Sequence, residues 1–161
     1  MVSPATAPMQ VRVSEPCPQE IGSADGVSNP GAGDQLVPPQ PLAGLICRYA
    51  PPAPYNQSSE VPAGSLYAQV KLSRQEAVRL AGAVDAISTA APTGTSSCPS
   101  DRLSVSIIAF SYPSIPDFDF WFKNSGCETL DNGRVGASET GNPMFSDAFD
   151  PLIEAWAPAL P

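Results

Sequence analysis

The chain has 161 residues, a formal net charge of −8 and 20 prolines. That length fits one domain with a buried core. Eight basic residues against sixteen acidic ones argue against a nucleic-acid binder, which needs clustered Lys and Arg to displace counterions from phosphates, and against docking on anionic lipid surfaces.

Prolines are concentrated in the first third of the chain and at its end. A polar, proline-rich stretch buries too little apolar surface to offset the entropy of ordering it. We therefore predict a flexible N-terminal segment over 1–16, a single disulfide-stapled domain over 17–157 and a C-terminal tail over 158–161. Within the N-terminal segment, residues 10–13 are predicted to form a short strand.

Hydrophobic periodicity indicates the first regular elements. A buried strand is predicted over 42–49, and a half-buried strand with alternating apolar and polar residues over 65–72. Ser73 and Glu76 have the spacing of a capping box, which begins a helix predicted over 74–88. Because almost no linker separates this strand from the helix, the helix is expected to fold back onto the sheet.

A hairpin and a final helix are predicted in the second half of the chain. The hairpin strands are expected over 103–112 and 118–123, and an Asn-Gly turn follows at 132–133. Apolar residues at helical spacing then predict a helix over 145–156, kinked or divided by Pro151. The expected fold is α+β, with a mostly antiparallel sheet of four to five strands and two helices packed on it.

The four cysteines are Cys17, Cys47, Cys98 and Cys127, without a Cys-x-x-Cys pair, and the chain has no histidine. Widely spaced cysteines of even number in a small domain indicate two disulfides rather than a zinc site. Cys98 precedes the predicted hairpin and Cys127 follows it, and antiparallel pairing brings those ends together. We therefore predict the bridge Cys98–Cys127 and, by elimination, Cys17–Cys47.

Two disulfides indicate an oxidising compartment, so we expect a secreted or envelope-associated protein. Residues 1–10 lack the basic and apolar regions of an export signal, so either such a signal has been removed, which we expect, or the prediction of two disulfides is wrong. No run of residues is long and apolar enough to span a bilayer. We expect a monomer that does not span the membrane and has no cofactor or metal.

The absence of histidine excludes Ser-His-Asp and Cys-His catalysis in their usual forms. Pairs of carboxylates remain as candidates for glycoside hydrolysis, and they are Asp117 with Asp119, Glu128 with Asp131, and Asp147 with Asp150. Each pair also has an ordinary structural role, at a strand edge, in a turn or at a helix N-terminus. We favour the structural roles and predict that the chain is not an enzyme.

Two aromatic residues of the hairpin are candidates for an exposed binding patch, Tyr112 and Trp121. If Phe120 points into the core, Trp121 points to the opposite face of its strand. We expect the C-terminal helix, with its own aromatic stripe, to cover Trp121. The alternative is that Trp121 is exposed.

Four segments resemble a recurrent exported domain of actinobacteria, and they are LVPPQPLAGLICRYAPP (36–52), CPSD (98–101), FSYPSIPDFDFWFKNSGC (110–127) and TLDNGRV (129–135). That domain occurs as secreted proteins and lipoproteins without an assigned activity. The resemblance covers roughly 17–156. It implies a location in the cell envelope or outside the cell, and no particular chemistry.

The order of the predicted elements is also similar to that of the subtilisin-inhibitor-like proteins. This resemblance implies a protease-binding loop at 98–101, with Ser100 in the specificity position, Asp101 after it, and Cys127 anchoring the loop. A rigid, bridged loop suits a substrate-like inhibitor because preorganisation lowers the ordering cost of binding. The family's Tyr-Asp-Pro is replaced here by Asp-Arg-Leu at 101–103.

The sequence thus predicts an exported, non-enzymatic domain that binds an unidentified protein or envelope ligand, or serves the envelope structurally. The alternatives are a protease inhibitor and a carboxylate-based hydrolase. The candidate interaction residues are Ser100, Asp101, Tyr112 and Trp121.

Overall fold

Six strands and two helices form the fold in a computed structural model, which describes residues 10–21, 27, 29, 36–50, 64–87, 104–124, 129–133, 136–138 and 144–154. The strands are β1 (Ala43–Tyr49), β2 (Leu66–Leu72), β3 (Ser104–Ser111), β4 (Phe118–Asn124), β5 (Thr129–Asp131) and β6 (Gly136–Ser138). The helices are α1 (Arg74–Asp85) and α2 (Met144–Glu154). Neither helix is long and apolar enough to cross a membrane, within this described part of the chain.

The strands form one sheet in the order β2-β1-β3-β4-β5-β6. Every neighbouring pair is antiparallel. The predicted α+β fold with an antiparallel sheet and two helices is therefore confirmed. The three-residue β6 extends the sheet by one strand beyond the number expected, and it follows β5 through the predicted Asn-Gly turn, where Gly133 has a positive φ of 94°.

Helix α1 begins at the predicted capping box. The Ser73 hydroxyl accepts from the Glu76 backbone N–H at 3.2 Å, and the Glu76 carboxylate accepts from the Ser73 N–H at 2.9 Å. These bonds satisfy two of the N–H groups and fix the helix start. The helix ends at Asp85, earlier than predicted, and the buried Ile87 lies just beyond it.

The sheet has an apolar core on each face, because successive side chains of a strand point to opposite sides. One core includes Ile46, Ile108, Phe120 and Phe122 and is covered by both helices. The other core includes strand residues Leu45, Cys47, Tyr49, Val105, Ile107, Ala109 and Trp121, and it is covered by Val11, Cys17, Ile21 and Val27. Irregular N-terminal chain therefore covers the apolar core on one face of the sheet, whereas the two helices cover the core on the other face.

Residues 10–21, which contribute Val11, Cys17 and Ile21 to this cover, are called the strap. The segment predicted to be flexible, 1–16, thus contributes residues 10–16 to the described domain, and Val11 is only 2% exposed. The predicted strand over 10–13 is absent, since the structure describes irregular chain and a turn there. Its backbone N–H groups donate to carboxylates instead of to a neighbouring strand.

The disulfide Cys17–Cys47 joins the strap to β1, the strand next to the edge strand β2. Its S–S distance is 2.01 Å and its Cα atoms are 5.7 Å apart, which confirms the predicted pairing. Both cysteines are buried. The other predicted bridge, Cys98–Cys127, lies outside the described residues, so the structure describes one disulfide where two were expected.

Candidate functional site

Two carboxylates of the hairpin hold the strap against the sheet. The Val11 N–H donates to Asp119 Oδ2 at 2.8 Å, and the Val13 N–H donates to Asp117 Oδ2 at 2.7 Å. Asp117 and Asp119 lie two positions apart, so both side chains point to the face that the strap covers. We call this pair the carboxylate clamp, and it fixes strap residues that lie more than 100 positions away in sequence.

A half-buried asparagine completes the surroundings of Asp119. The side chain of Asn29 accepts from the Asp119 N–H at 2.8 Å and donates to the Asp119 carbonyl at 2.6 Å. It also donates to the Asn132 carbonyl at 2.6 Å. Because β5 pairs with β4 only from Trp121 onward, the Asn29 amide takes the backbone groups of Asp119 that a longer neighbouring strand would have used.

Asp119 is the most unusual ionisable group of the site. It is 4% exposed, and this burial raises its pKa from 3.8 to about 7. The Val11 N–H lowers that pKa, the neighbouring Asp117 raises it, and Arg12 lowers it. Asp119 therefore changes protonation state near neutral pH, which few carboxylic acids do.

The face of the sheet that the strap covers carries two buried polar atoms that have no hydrogen-bond partner among the described residues. They are Asp119 Oδ1 and the indole nitrogen Nε1 of Trp121, two positions further along β4. An ionised carboxylate in such a place costs more free energy than a protonated one, because no described donor replaces the water that Oδ1 has lost. This arrangement favours the neutral acid while the strap is closed.

A carboxyl group with a pKa near 7 is suited to proton transfer, and Asp117 with Asp119 was one of the pairs singled out for hydrolysis. In the structure, however, both members accept hydrogen bonds from the chain's own backbone. Asp119 lies beneath the strap and not at an open surface. The pair therefore acts chemically as an anchor for the strap, a role that differs from the strand-edge charge expected.

The other carboxylate candidates are placed in local structure. Asp131 accepts from the Gly133 N–H at 2.6 Å, which stabilises the turn after β5. Asp147 lies in the first turn of α2, where negative charge is favourable. Asp150 is an exposed residue of the same helix, and Glu128 lies outside the described residues. Within the described part of the chain, no group of three Cys, Asp or Glu side chains is placed to hold a metal ion.

Trp121 is 5% exposed, and the strap covers it. The prediction that the C-terminal helix covers Trp121 is wrong. That helix packs on the opposite face, where Phe149 meets Phe122 edge-on with ring centroids 5.2 Å apart. Phe149 of α2 therefore packs on Phe122, whose side chain points away from that of Trp121.

Tyr112 is half-buried rather than part of an open aromatic patch. Its hydroxyl donates to the Pro38 carbonyl at 2.6 Å, and burial, together with the charge of Asp85, raises its pKa well above the usual range. The hydroxyl joins the chain before β1 to the chain after β3. The remaining candidates, Ser100 and Asp101, lie outside the described residues.

The exposed large hydrophobic residues of the described chain are Leu42, at 40%, and Ile115, at 44%. Both lie at the same end of the sheet, because Leu42 donates its N–H to the Ser111 carbonyl at 2.8 Å and Ile115 lies in the loop that follows Ser111. We call residues 38–42 and 112–116 the apolar rim. The sequence signal for it was the pair of prolines on either side of Ser114-Ile115, which keep an apolar residue in a loop.

Comparison with protein families, with curated proteins and with solved structures finds no match. The resemblances to the actinobacterial exported domain and to the subtilisin-inhibitor-like proteins therefore stay predictions.

Proposed function

We propose that the protein is an exported, non-enzymatic domain that binds a protein partner through the apolar rim. The observation that carries this proposal is the position of Leu42 and Ile115, large aliphatic side chains that are exposed at one end of the sheet. Exposed apolar surface that adjoins polar residues is typical of protein interaction sites. Tyr112, one of the candidate interaction residues, belongs to this rim.

The backbone of the rim is held in place before any partner arrives. The Leu42 N–H and the Tyr112 hydroxyl tie its two segments together at 2.8 and 2.6 Å. Prolines at 38, 39, 41, 113 and 116 restrict the backbone further, because each fixes its own φ. A surface that is already ordered loses little conformational entropy when it binds, so more of the contact energy appears as affinity.

The proposal of export rests on the Cys17–Cys47 bridge. Disulfides persist in oxidising compartments and are rare in the cytosol. Both cysteines of this bridge are buried where the strap meets the sheet. The resemblance to exported actinobacterial domains agrees with that location.

The proposal of a non-enzymatic role is supported by the hydrogen bonds that Asp117 and Asp119 accept from the backbone of the strap. Asp119, whose pKa is suited to acid–base chemistry, is enclosed by the strap, and Asp117 accepts the Val13 N–H. A hydrolase of this type needs both carboxyl groups to flank a bound substrate. Here the chain's own backbone occupies that place.

The test places a photo-crosslinking amino acid at Ile115 and, in a matched control, at Glu20. Glu20 is exposed and bridges to Ser65 near the start of β2, at the end of the sheet opposite to the rim. Both proteins are expressed with an export signal in the native host and irradiated. We expect a discrete adduct from position 115 that disappears when Leu42 is replaced by Asp, and no such adduct from position 20.

Two outcomes would contradict the proposal. Equal adducts from positions 115 and 20 would show that the rim is not a selective surface. Recovery of the native protein from the cytosolic fraction with free Cys17 and Cys47 would remove the basis for export. Cellular fractionation and thiol alkylation of the same samples measure the second outcome separately from the first.

A further inference from the structure

We propose that the strap is a proton-gated cover of the sheet, closed while the Asp119 carboxyl group holds a proton and opened when that proton is lost. This inference concerns the face opposite to the helices and does not depend on the binding role of the rim. It rests on how the strap is attached and on which groups surround Asp119.

The two ends of the strap are attached by different means. Residues 17–21 are held by the disulfide, by the Tyr49 hydroxyl on the Pro18 carbonyl at 2.8 Å, and by backbone bonds to Gly64 and Leu66 at 3.0 and 2.8 Å. Residues 10–16 are held through the Val11 and Val13 N–H groups on the carboxylate clamp. Opening therefore means that 10–16 lifts while 17–21 stays in place.

The surroundings of Asp119 explain why its ionisation would favour opening of the strap. The charged groups that act on it are Asp117, which adds negative charge, and Arg12 on the strap, which opposes it. The sheet residues beside it on this face, Ile107 and Ala109, are apolar, and Asn29 bonds to its backbone groups rather than to its carboxylate. Ionised Asp119 Oδ1 thus has no donor among the described residues, and lifting 10–13 returns it to water.

The direction of the pH dependence follows from linkage. Asp119 has a pKa of about 7 under the closed strap and an ordinary value of 3.8 in water. Between these two pH values the closed form holds a proton that the open form has released. Each rise of one pH unit therefore increases the opening constant about tenfold. The strap is held most firmly below about pH 4 and is loosest once the pH has risen through 7.

Lifting residues 10–16 removes Val11 from the apolar cluster that contains Trp121 and both cysteines of the Cys17–Cys47 bridge, so water and solutes gain access to that cluster. A buried disulfide is reduced only when a reductant reaches a sulfur atom. The rate at which this bridge is reduced therefore measures how often the strap opens. Acrylamide quenching of Trp121 fluorescence measures the same event without chemistry.

The experiment uses the full chain carrying Trp156→Phe, which leaves Trp121 as the sole tryptophan of the two in the sequence. Reduction by a water-soluble phosphine is followed from pH 4 to pH 8 by alkylation and peptide mapping of Cys17 and Cys47. The matched control is Asp119→Asn, which stays neutral at every pH, and the ratio of the two proteins cancels the reductant's own pH dependence. We expect this ratio to rise between about pH 4 and pH 7, by at most about tenfold per pH unit, and Trp121 quenching to increase over the same range.

The same pH profile in Asp119→Asn as in the parent protein would overturn the proposal. A second variant keeps the test decisive if Asp119→Asn fails to fold. Asp117→Asn removes a charge that adds to the effect of burial on the Asp119 pKa, so the rise in opening should end at a lower pH than in the parent protein. An Asp119 carboxyl carbon that titrates near pH 4 by NMR in the folded protein would also refute the mechanism.

Discussion

Removal of the Cys17–Cys47 bridge tests how much of the domain's stability depends on the strap. The perturbation is Cys17→Ala with Cys47→Ala, which leaves two small apolar side chains in a buried site. The bridge closes a loop of 30 residues. In the chain-entropy model a loop of that size removes about 12 cal/mol/K from the unfolded chain, or about 3.6 kcal/mol at 25 °C.

This loss is large beside the net stability of a typical domain, about 5–15 kcal/mol. We therefore expect the double variant to fold with a free energy of unfolding lowered by about 3–4 kcal/mol. The strap keeps its backbone bonds to Gly64 and Leu66, so the sheet and helices should persist. Trp121 should become more accessible to acrylamide, because the strap is no longer fixed at Cys17.

The assay is urea unfolding of the parent and double variant at pH 5, below the pKa of about 7 that Asp119 has under the closed strap. Val11→Ala is the control for packing, because it removes strap contacts with the sheet while leaving the bridge. The reasoning would be refuted if the free energy of unfolding of the double variant were lowered by less than about 1 kcal/mol. The bridge would then have little effect on the entropy of the unfolded chain. The reasoning would also be refuted if Trp121 quenching were unchanged.

Further measurements test other parts of the structure. Ser73→Ala should lower the free energy of unfolding by about 1 kcal/mol in urea titrations, because it removes the acceptor of the capping box. Phe122→Ala should cost about 3–5 kcal/mol by the same assay, whereas Ile115→Ala at the exposed rim should change stability by less than about 0.5 kcal/mol. Because burial raises the Asp119 pKa, stability should fall between about pH 4 and pH 7, by at most about 4 kcal/mol. Asp119→Asn should abolish that part of the calorimetric pH dependence, and an unchanged profile would contradict it.

The elements that depend on neighbouring residues were predictable from the sequence. The Ser73–Glu76 capping box, the alternation in β2 and the hairpin of β3 and β4 are all local patterns, and the structure has each of them. The Cys17–Cys47 pairing was also correct. The predictions of the capping box, the alternation and the hairpin succeed because they involve residues only a few positions apart, whereas the cysteine pairing, over 30 positions, was reached by elimination.

The carboxylate clamp could not be found in this way. The sequence around Asp117 and Asp119 predicts ordinary charged residues at a strand edge. The sequence around Val11 and Val13 predicts a strand. What determines their roles is contact between segments about 100 positions apart. Sequence periodicity contains no information about which distant backbone will approach a given side chain.

The alternation in β4 determined that Trp121 and Phe122 point to opposite faces, and composition determined that the chain has the apolar residues for a core. Only the tertiary structure decided that helix α2 covers Phe122 and that the strap covers Trp121. The physical reason is that burial is non-directional: any apolar segment that reaches a face lowers the free energy. Which segment does so depends on chain connectivity, on the Cys17–Cys47 bridge and on backbone donors that need acceptors.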